Sequence, residues 1–185
     1  MEPALRDRRQ IALILFVRKT LMGGTMRLTD RPMRRTECAV TDTATIEQIL
    51  RRATVCHVAM VDAGEPYVLP MNCAWDGSHL LLHSAPEGRK IDILRANARV
   101  CIEIEEDVER VTGAVGSDCS ENYVTVIGTG TVAWVLDPEE KSHDLNAIIC
   151  QCHAGAAAET FTDDTLRRVA VMEVTFDALT CKAKG

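Results

Sequence analysis

Aromatic residues are scarce in this chain. Two Trp, two Tyr and three Phe make up 4% of 185 residues, so aliphatic side chains must fill the core and most of any pocket. The eight Cys contain no CxxC pair, which removes the zinc-ribbon and ferredoxin spacings. Positive charge is in deficit: 21 Lys plus Arg stand against 27 Asp plus Glu, a formal charge of -6. That argues against a broad grip on nucleic acid, although a local patch can still hold a phosphate. Long apolar runs are missing too. Ile11 to Val17 is the greasiest stretch near the start, and as a helix it rises only about 10 Å against roughly 30 Å of hydrocarbon. Arg18 and Lys19 follow it at once with no small-residue cleavage pattern. Residues 1–32 therefore read as an N-terminal extension, helical or poorly ordered, and not as a membrane span or signal peptide.

What is present suits one domain over residues 33–185. The hydrophobic class reaches 46%, enough for a core that needs neither metal nor disulfide to fold. Cys56, Cys73 and Cys101 each lie inside an apolar run, where a free thiol behaves as a small hydrophobe. Scattered, reduced thiols point to a cytoplasmic protein.

Short strands with tight connections dominate the pattern. Val55 to Val61 ends at Asp62-Ala63-Gly64, Tyr67 to Ala74 at Asp76-Gly77, and Ser78 to Ser84 follows; these are hairpin signals. Pro70 inside the second run implies an edge, a bulge or ligand-facing backbone. A first helix is expected with Thr43 or Thr45 as its cap and Ile46, Ile49 and Leu50 as its apolar side. A second spans Pro86 to Ala98. Strands follow at Val100 to Glu105 and Glu109 to Gly116, then a long β-branched run from Asn122 to Leu136. Asp137, Pro138 and Glu140 announce a helix with Leu145, Ile148, Ile149 and Cys152 as its buried stripe. Val169 to Phe176 is the last strand, before a short basic tail. Helices do not alternate with strands as in a doubly wound sheet, so a mainly β fold with inserted helices, a small barrel, fits best.

Two motifs carry chemistry on their face. Gly128-Thr-Gly130-Thr-Val-Ala133 has the letters of a dinucleotide fingerprint, but Val132, Trp134 and Val135 continue a strand where the fingerprint needs a helix. His83-Ser84-Ala85-Pro86-Glu87-Gly88-Arg89-Lys90 places two hydrogen-bonding side chains, a glycine and two cations at the start of a helix. That is either a phosphate cradle or a helix cap with solvent-facing cations. No side-chain nucleophile or acid–base pair, and no metal-ligand spacing, stands out.

The series Met33-Arg-Arg-Thr-Glu-Cys-Ala-Val-Thr-Asp42, Cys56-His-Val-Ala-Met60, Pro66-Tyr-Val-Leu-Pro-Met-Asn72, Leu82-His-Ser-Ala-Pro-Glu-Gly-Arg-Lys-Ile-Asp92, Tyr123-Val-Thr-Val-Ile-Gly-Thr-Gly130 and Leu179-Thr-Cys-Lys-Ala-Lys184 resembles the pyridoxamine 5'-phosphate oxidase-like, FMN-binding split-barrel superfamily. The nitroimidazole-resistance-protein branch is the nearest in pattern. The resemblance implies a split β-barrel homodimer with two FMN sites at the subunit interface. It places His83, Ser84, Lys90 and, more weakly, Arg89 at the FMN phosphate. Pro70, Met71 and Asn72 would run beside the ribityl chain or the flavin ring, and Tyr123 and Thr125 near the cofactor or the dimer interface. It implies a flavoprotein that passes electrons to a small organic acceptor such as a nitroaromatic compound or a quinone. The alternatives are a non-enzymatic flavin- or haem-binding dimer, since some relatives bind haem, with His83 or His153 as the axial ligand, and a dimer with a degenerate cofactor pocket. The chain departs from the family at Val124 and Thr131, where cations are common, and at Cys38.

Overall fold

The computed structural model describes residues 26–185; the greasy run at 11–17 and most of the expected extension lie outside them. The described chain runs β1 (Ala39–Val40), α1 (Thr43–Arg52), β2 (Val55–Asp62), β3 (Glu65–Trp75), β4 (Leu80–Ser84), α2 (Arg89–Ala96), β5 (Arg99–Val111), β6 (Ser120–Val135), α3 (Pro138–Cys152), α4 (Asp163–Arg167) and β7 (Ala170–Lys184). All strand pairs are antiparallel. The order is β1-β7-β4-β3-β2-β5-β6, and a further β6–β7 pairing closes the sheet into a barrel. Closure removes most of the unpaired edge that an open sheet would expose.

Period-two alternation decides which side chains fill the barrel. Cys56, Val58 and Met60 of β2 point inward, as do Leu80 and Leu82 of β4, Ile102 and Ile104 of β5 and Met172 and Val174 of β7. Ile46, Ile49 and Leu50 of α1 and Ile93 and Leu94 of α2 join the same core. Helix α3 covers the outside of β3 and β4, where Ile148 meets Ala74 and Leu81. Gln151 fastens the end of α3: its Nε2 donates to the carbonyls of Leu50 and Ala53 at 3.0 and 2.6 Å, and its Oε1 accepts the Trp75 N–H at 3.1 Å.

The start of the described chain is also tied down. Thr29 N–H donates to the Leu179 carbonyl and Leu179 N–H to the Arg27 carbonyl, both at 2.9 Å. Met26 and Leu28 pack against the core.

Several local expectations shift. Asp42, not a threonine, caps α1 by accepting the Thr45 N–H at 2.9 Å. The two strands expected over 100–105 and 109–116 are one, β5, with a register shift between Glu106 and Glu109. Asp107, at φ 55°, bends the chain there without ending the ladder. The last strand does not stop at Phe176. It continues as β7 to Lys184 because β6 pairs with it along its length and β1 with its end. On α3 the buried set includes Asp144 and Asn146, while Ile149 is only half-buried. The Asn146 amide explains its own burial: it donates to the Ser142 and Glu159 carbonyls and accepts the Glu159 N–H.

Candidate functional site: the mouth of the split barrel

β3 is longer than its neighbour on one side. Its pairing with β2 covers Glu65 to Asn72, but its pairing with β4 covers only Cys73 to Trp75. From Asn72 back to Glu65 the β4-side edge is unpaired among the described residues, and this is the split. Pro70 lies in that stretch, opposite His57 of β2, where no β4 ladder bond is forfeited by its missing N–H. Asn72 faces outward, with its Nδ2 donating to the Thr54 carbonyl at 3.2 Å. Met71 faces inward and is buried in the core, so only its backbone borders the split.

β4 carries the opposite lip. His83 and Ser84 pair on their far side with Val171 and Ala170 of β7. One further step of the β3–β4 register would set His83 opposite Asn72. Gly88, at φ 108°, then turns the chain into α2, a backbone state that L side chains rarely adopt. The Ile91 and Asp92 N–H groups return to the Gly88 carbonyl at 2.9 and 3.1 Å. No side chain caps the first turn, so its leading N–H groups remain available for an anion.

The electrostatics at this lip favour an anion. Burial, and then the nearby Lys90 charge, hold the His83 imidazole below its ordinary value. Lys90 makes no ion pair among the described residues. Arg89 is directed elsewhere: its Nε donates to Asp62 Oδ2 at 2.9 Å, and its guanidinium lies 4.5 Å from the centre of the Tyr67 ring. It ties α2 to the β2–β3 turn. The Ser84 hydroxyl donates to the Ala85 carbonyl at 2.6 Å and must rotate to serve a ligand. A separate open cleft of about 690 Å³ shares Arg89 but is also lined by Asp62 and Asp92, a poor environment for a phosphate.

Tyr123 and Thr125 are not at this mouth. They pair with Lys184 and Lys182 at the end of β7, whereas Ser84 and His83 pair at its start. Roughly 35 Å of strand separates the two places at the usual rise per residue. The Lys182 ammonium lies 5.1 Å from the centre of the Tyr123 ring. The two cation-poor positions have local explanations. Val124 packs inward against the core, and Thr131 Oγ1 accepts from Arg99 of β5 at 3.1 Å, so a guanidinium reaches that spot from the next strand.

Outward residues of β3, β2, β5 and β6 form rows by register: Val68–Ala59–Cys101–Thr129, and Pro70–His57–Glu103–Ile127. Among the described residues no helix covers this face. Val55, Val61, Val68 and Ile127 on this face are 45, 49, 61 and 44% exposed. His57 Nδ1 lies 2.9 Å from Glu103 Oε2. This acid–base pair was invisible in the sequence, since its members are on different strands.

Four of the eight cysteines are held toward the protonated thiol. All eight are free. Burial pushes the Cys101, Cys152 and Cys181 thiols up, and Cys73 is pushed up by its contact with Cys56 and then by burial. Thiols held protonated are weak nucleophiles. Asp76, His79 and Glu173 bring donor atoms within 4.8 Å of one another, a juxtaposition also missed in the sequence. There Asp76 Oδ1 accepts the Ser78 and His79 N–H groups at 2.6 and 2.7 Å and so locks the β3–β4 hairpin.

The family model described as pyridoxamine 5'-phosphate oxidase matches residues 42–183. No curated protein sequence matches the chain significantly. Among solved structures, the chain is similar to a candidate 5-nitroimidazole antibiotic resistance protein from Bacteroides thetaiotaomicron. The two share 33% identity over 78% of this chain and 86% of that one, with a TM-score of 0.69. A flavocytochrome from Azotobacter vinelandii shares the fold at 18% identity, over 86% of this chain and 76% of that one, with a TM-score of 0.74. An FAD- and haem-binding protein from Mycobacterium smegmatis does so at 18%, over 80% and 74%, with a TM-score of 0.71. The curved antiparallel sheet with inserted helices, the family match and the 33% relative agree: the chain belongs to the pyridoxamine 5'-phosphate oxidase-like, FMN-binding split-barrel superfamily and is related to its nitroimidazole-resistance-protein branch.

Proposed function

We propose that the chain binds FMN at the mouth of the split and passes electrons from it to a small organic acceptor, a nitroaromatic compound or a quinone. The observation that carries this is the convergence of His83, Lys90 and the uncapped start of α2 beside the open edge of β3. A phosphate needs charge-assisted donors, and these supply them without a broad basic surface. The residues fit the group. Lys90 and the α2 N–H groups would hold the phosphate, with His83 donating once protonated. The outward backbone around Pro70 and Asn72 would border the remainder. When bound, the flavin supplies two-electron chemistry, while the protein supplies anchoring and exclusion of water.

The site is completed in a homodimer. Tyr123 and Thr125 lie too far along β7 to reach the same FMN as His83 from one chain, so a second copy would present them. The uncovered face bearing Val55, Val68 and Ile127 is the surface for it. Free thiols throughout support a cytoplasmic location. Among the described residues no helix is long and apolar enough to cross a membrane.

The decisive experiment is an absorbance titration of purified protein with FMN. A flavin band that shifts on binding supports the reading; no band and no shift would sink it, and a Soret band instead would establish haem. Replacing His83 and Lys90 together with alanine should abolish FMN retention without unfolding the barrel. Arg89→Ala should weaken it far less, because Arg89 is already engaged by Asp62.

A further inference from the structure

We propose that His57 and Glu103 are the proton-handling pair of this site, with His57 Nε2 as the proton donor and Glu103 as the residue that positions it. The inference rests on the flavin reading above and adds to it a function for two residues that no cofactor contact requires.

The geometry is specific. His57 sits in the outward row between Pro70 on β3 and Glu103 on β5. It is thus one strand from the stretch proposed to border the flavin. An ionised carboxylate only accepts, so the 2.9 Å contact from Nδ1 places a hydrogen on Nδ1. That fixes the ring's tautomer and leaves Nε2 as the atom that gains or loses a proton. Nε2 has no hydrogen-bond partner among the described residues. The side chains of His57 and Glu103 are 51% and 32% exposed, and the ring faces outward.

An exposed ion pair of this kind usually contributes little to stability. This one lies among Val55, Val68 and Ile127, on the face that a second copy would cover. Enclosing a charged pair in an apolar interface is costly unless its remaining hydrogen-bonding valence is used. A substrate seated beside the flavin would use it. The groups facing His57 are few. Glu103 is flanked on β5 by Cys101 and Glu105, while β3 presents Val68, Pro70 and Asn72, and β2 itself Val55 and Ala59. Glu103 is therefore its direct charged partner.

The chemistry balances for a quinone acceptor. Reduction to the hydroquinone takes two electrons and two protons. FMN held at the mouth would supply both electrons and one proton together as a hydride. The second proton passes from the imidazolium Nε2 to the other carbonyl oxygen, forming an O–H bond as the N–H bond breaks. The neutral imidazole regains a proton from solvent, and Nδ1–H is unchanged throughout.

The test compares FMN-loaded wild type, His57→Gln and Glu103→Gln. FMN retention is read by absorbance. Oxidation of the photoreduced protein by benzoquinone is followed anaerobically between about pH 5 and pH 8, where an imidazole changes charge. All three proteins should retain FMN. The wild-type rate should fall as pH rises, as proton donation by an imidazolium requires. His57→Gln should be slower by roughly 10²-fold, a typical contribution of a positioned acid, and flat with pH. Glu103→Gln should be slower but still pH-dependent, and ¹⁵N spectra should show its neutral His57 ring as a mixture of tautomers in place of one. FMN retained with an unchanged His57→Gln rate and pH profile would overturn the pair alone. No FMN absorption in the wild type would overturn the flavin reading and this role with it.

Discussion

At the scale of single residues, His83 is the group whose chemistry the fold most clearly sets. Burial and then Lys90 lower its pKa in the free protein, so near neutrality the ring is uncharged. A phosphate placed against it favours the protonated ring and raises that pKa. Binding then takes up a proton, and by linkage FMN affinity strengthens as pH falls from neutrality through the range where the free ring stays neutral and the bound ring is charged. The limit is about tenfold per pH unit for one proton. The phosphate's own second ionisation, near pH 6, acts in the opposite sense. The expected outcome is therefore a difference: the wild type should gain more affinity on acidification than His83→Gln, measured by fluorescence titration at several pH values. Equal slopes would remove His83 from the phosphate contacts. Such residues were legible in the sequence because a strand end, a glycine and a helix start are local signals. The diversion of Arg89 was not, because its partner Asp62 comes from the β2–β3 turn. Nor was the His57–Glu103 pair, whose members meet only through strand pairing.

At the scale of elements, the contact between β6 and β7 shows why the fingerprint-like glycines exist. A Cβ on Gly130 would collide with the Thr175 carbonyl oxygen, and one on Gly128 with the Leu179 and Phe176 side chains. The strands approach closely there, next to the shift in register between Thr129 and Gly130. Backbone cannot move aside as a side-chain tip can. Gly130→Ala should cost about 1–3 kcal/mol, the usual range for overpacking, seen as a lower urea midpoint with an unchanged slope. A variant as stable as the wild type would show that β7 yields freely. Sequence reading reached as far as placing these glycines inside a strand and not at the start of a helix. It separated β5 into two strands because the residues around Asp107 break the alternation, and the pairing that bridges them comes from β6. It ended β7 early because Lys182 and Lys184 look like a polar tail until Leu179 and Cys181 are seen facing inward between β6 and β1.

At the scale of the whole molecule, closure of the barrel leaves the face bearing Val55, Val68 and Ile127 without a covering helix among the described residues, and the proposed cofactor site draws on residues that pair with opposite ends of β7. The proposed second copy of the chain would account for both. Val68 and Ile127 lie two strands or more apart on that face and are 61 and 44% exposed, so neither is needed inside the barrel. Replacing both with lysine puts like charges opposite each other across a two-fold contact, where each patch meets its own copy. Like charges brought together in this way cost several kcal/mol. Sedimentation should then show a dimer for the wild type and a monomer for Val68→Lys/Ile127→Lys, with far-UV circular dichroism unchanged. FMN affinity should fall with dimerisation even though His83, Lys90 and α2 are untouched, because the monomer loses whatever the partner contributes. A double variant that remains dimeric places the interface elsewhere. One that is monomeric yet binds FMN as tightly as the wild type shows that a single mouth suffices, and that Tyr123 and Thr125 serve the strand pairing of β6 rather than the cofactor.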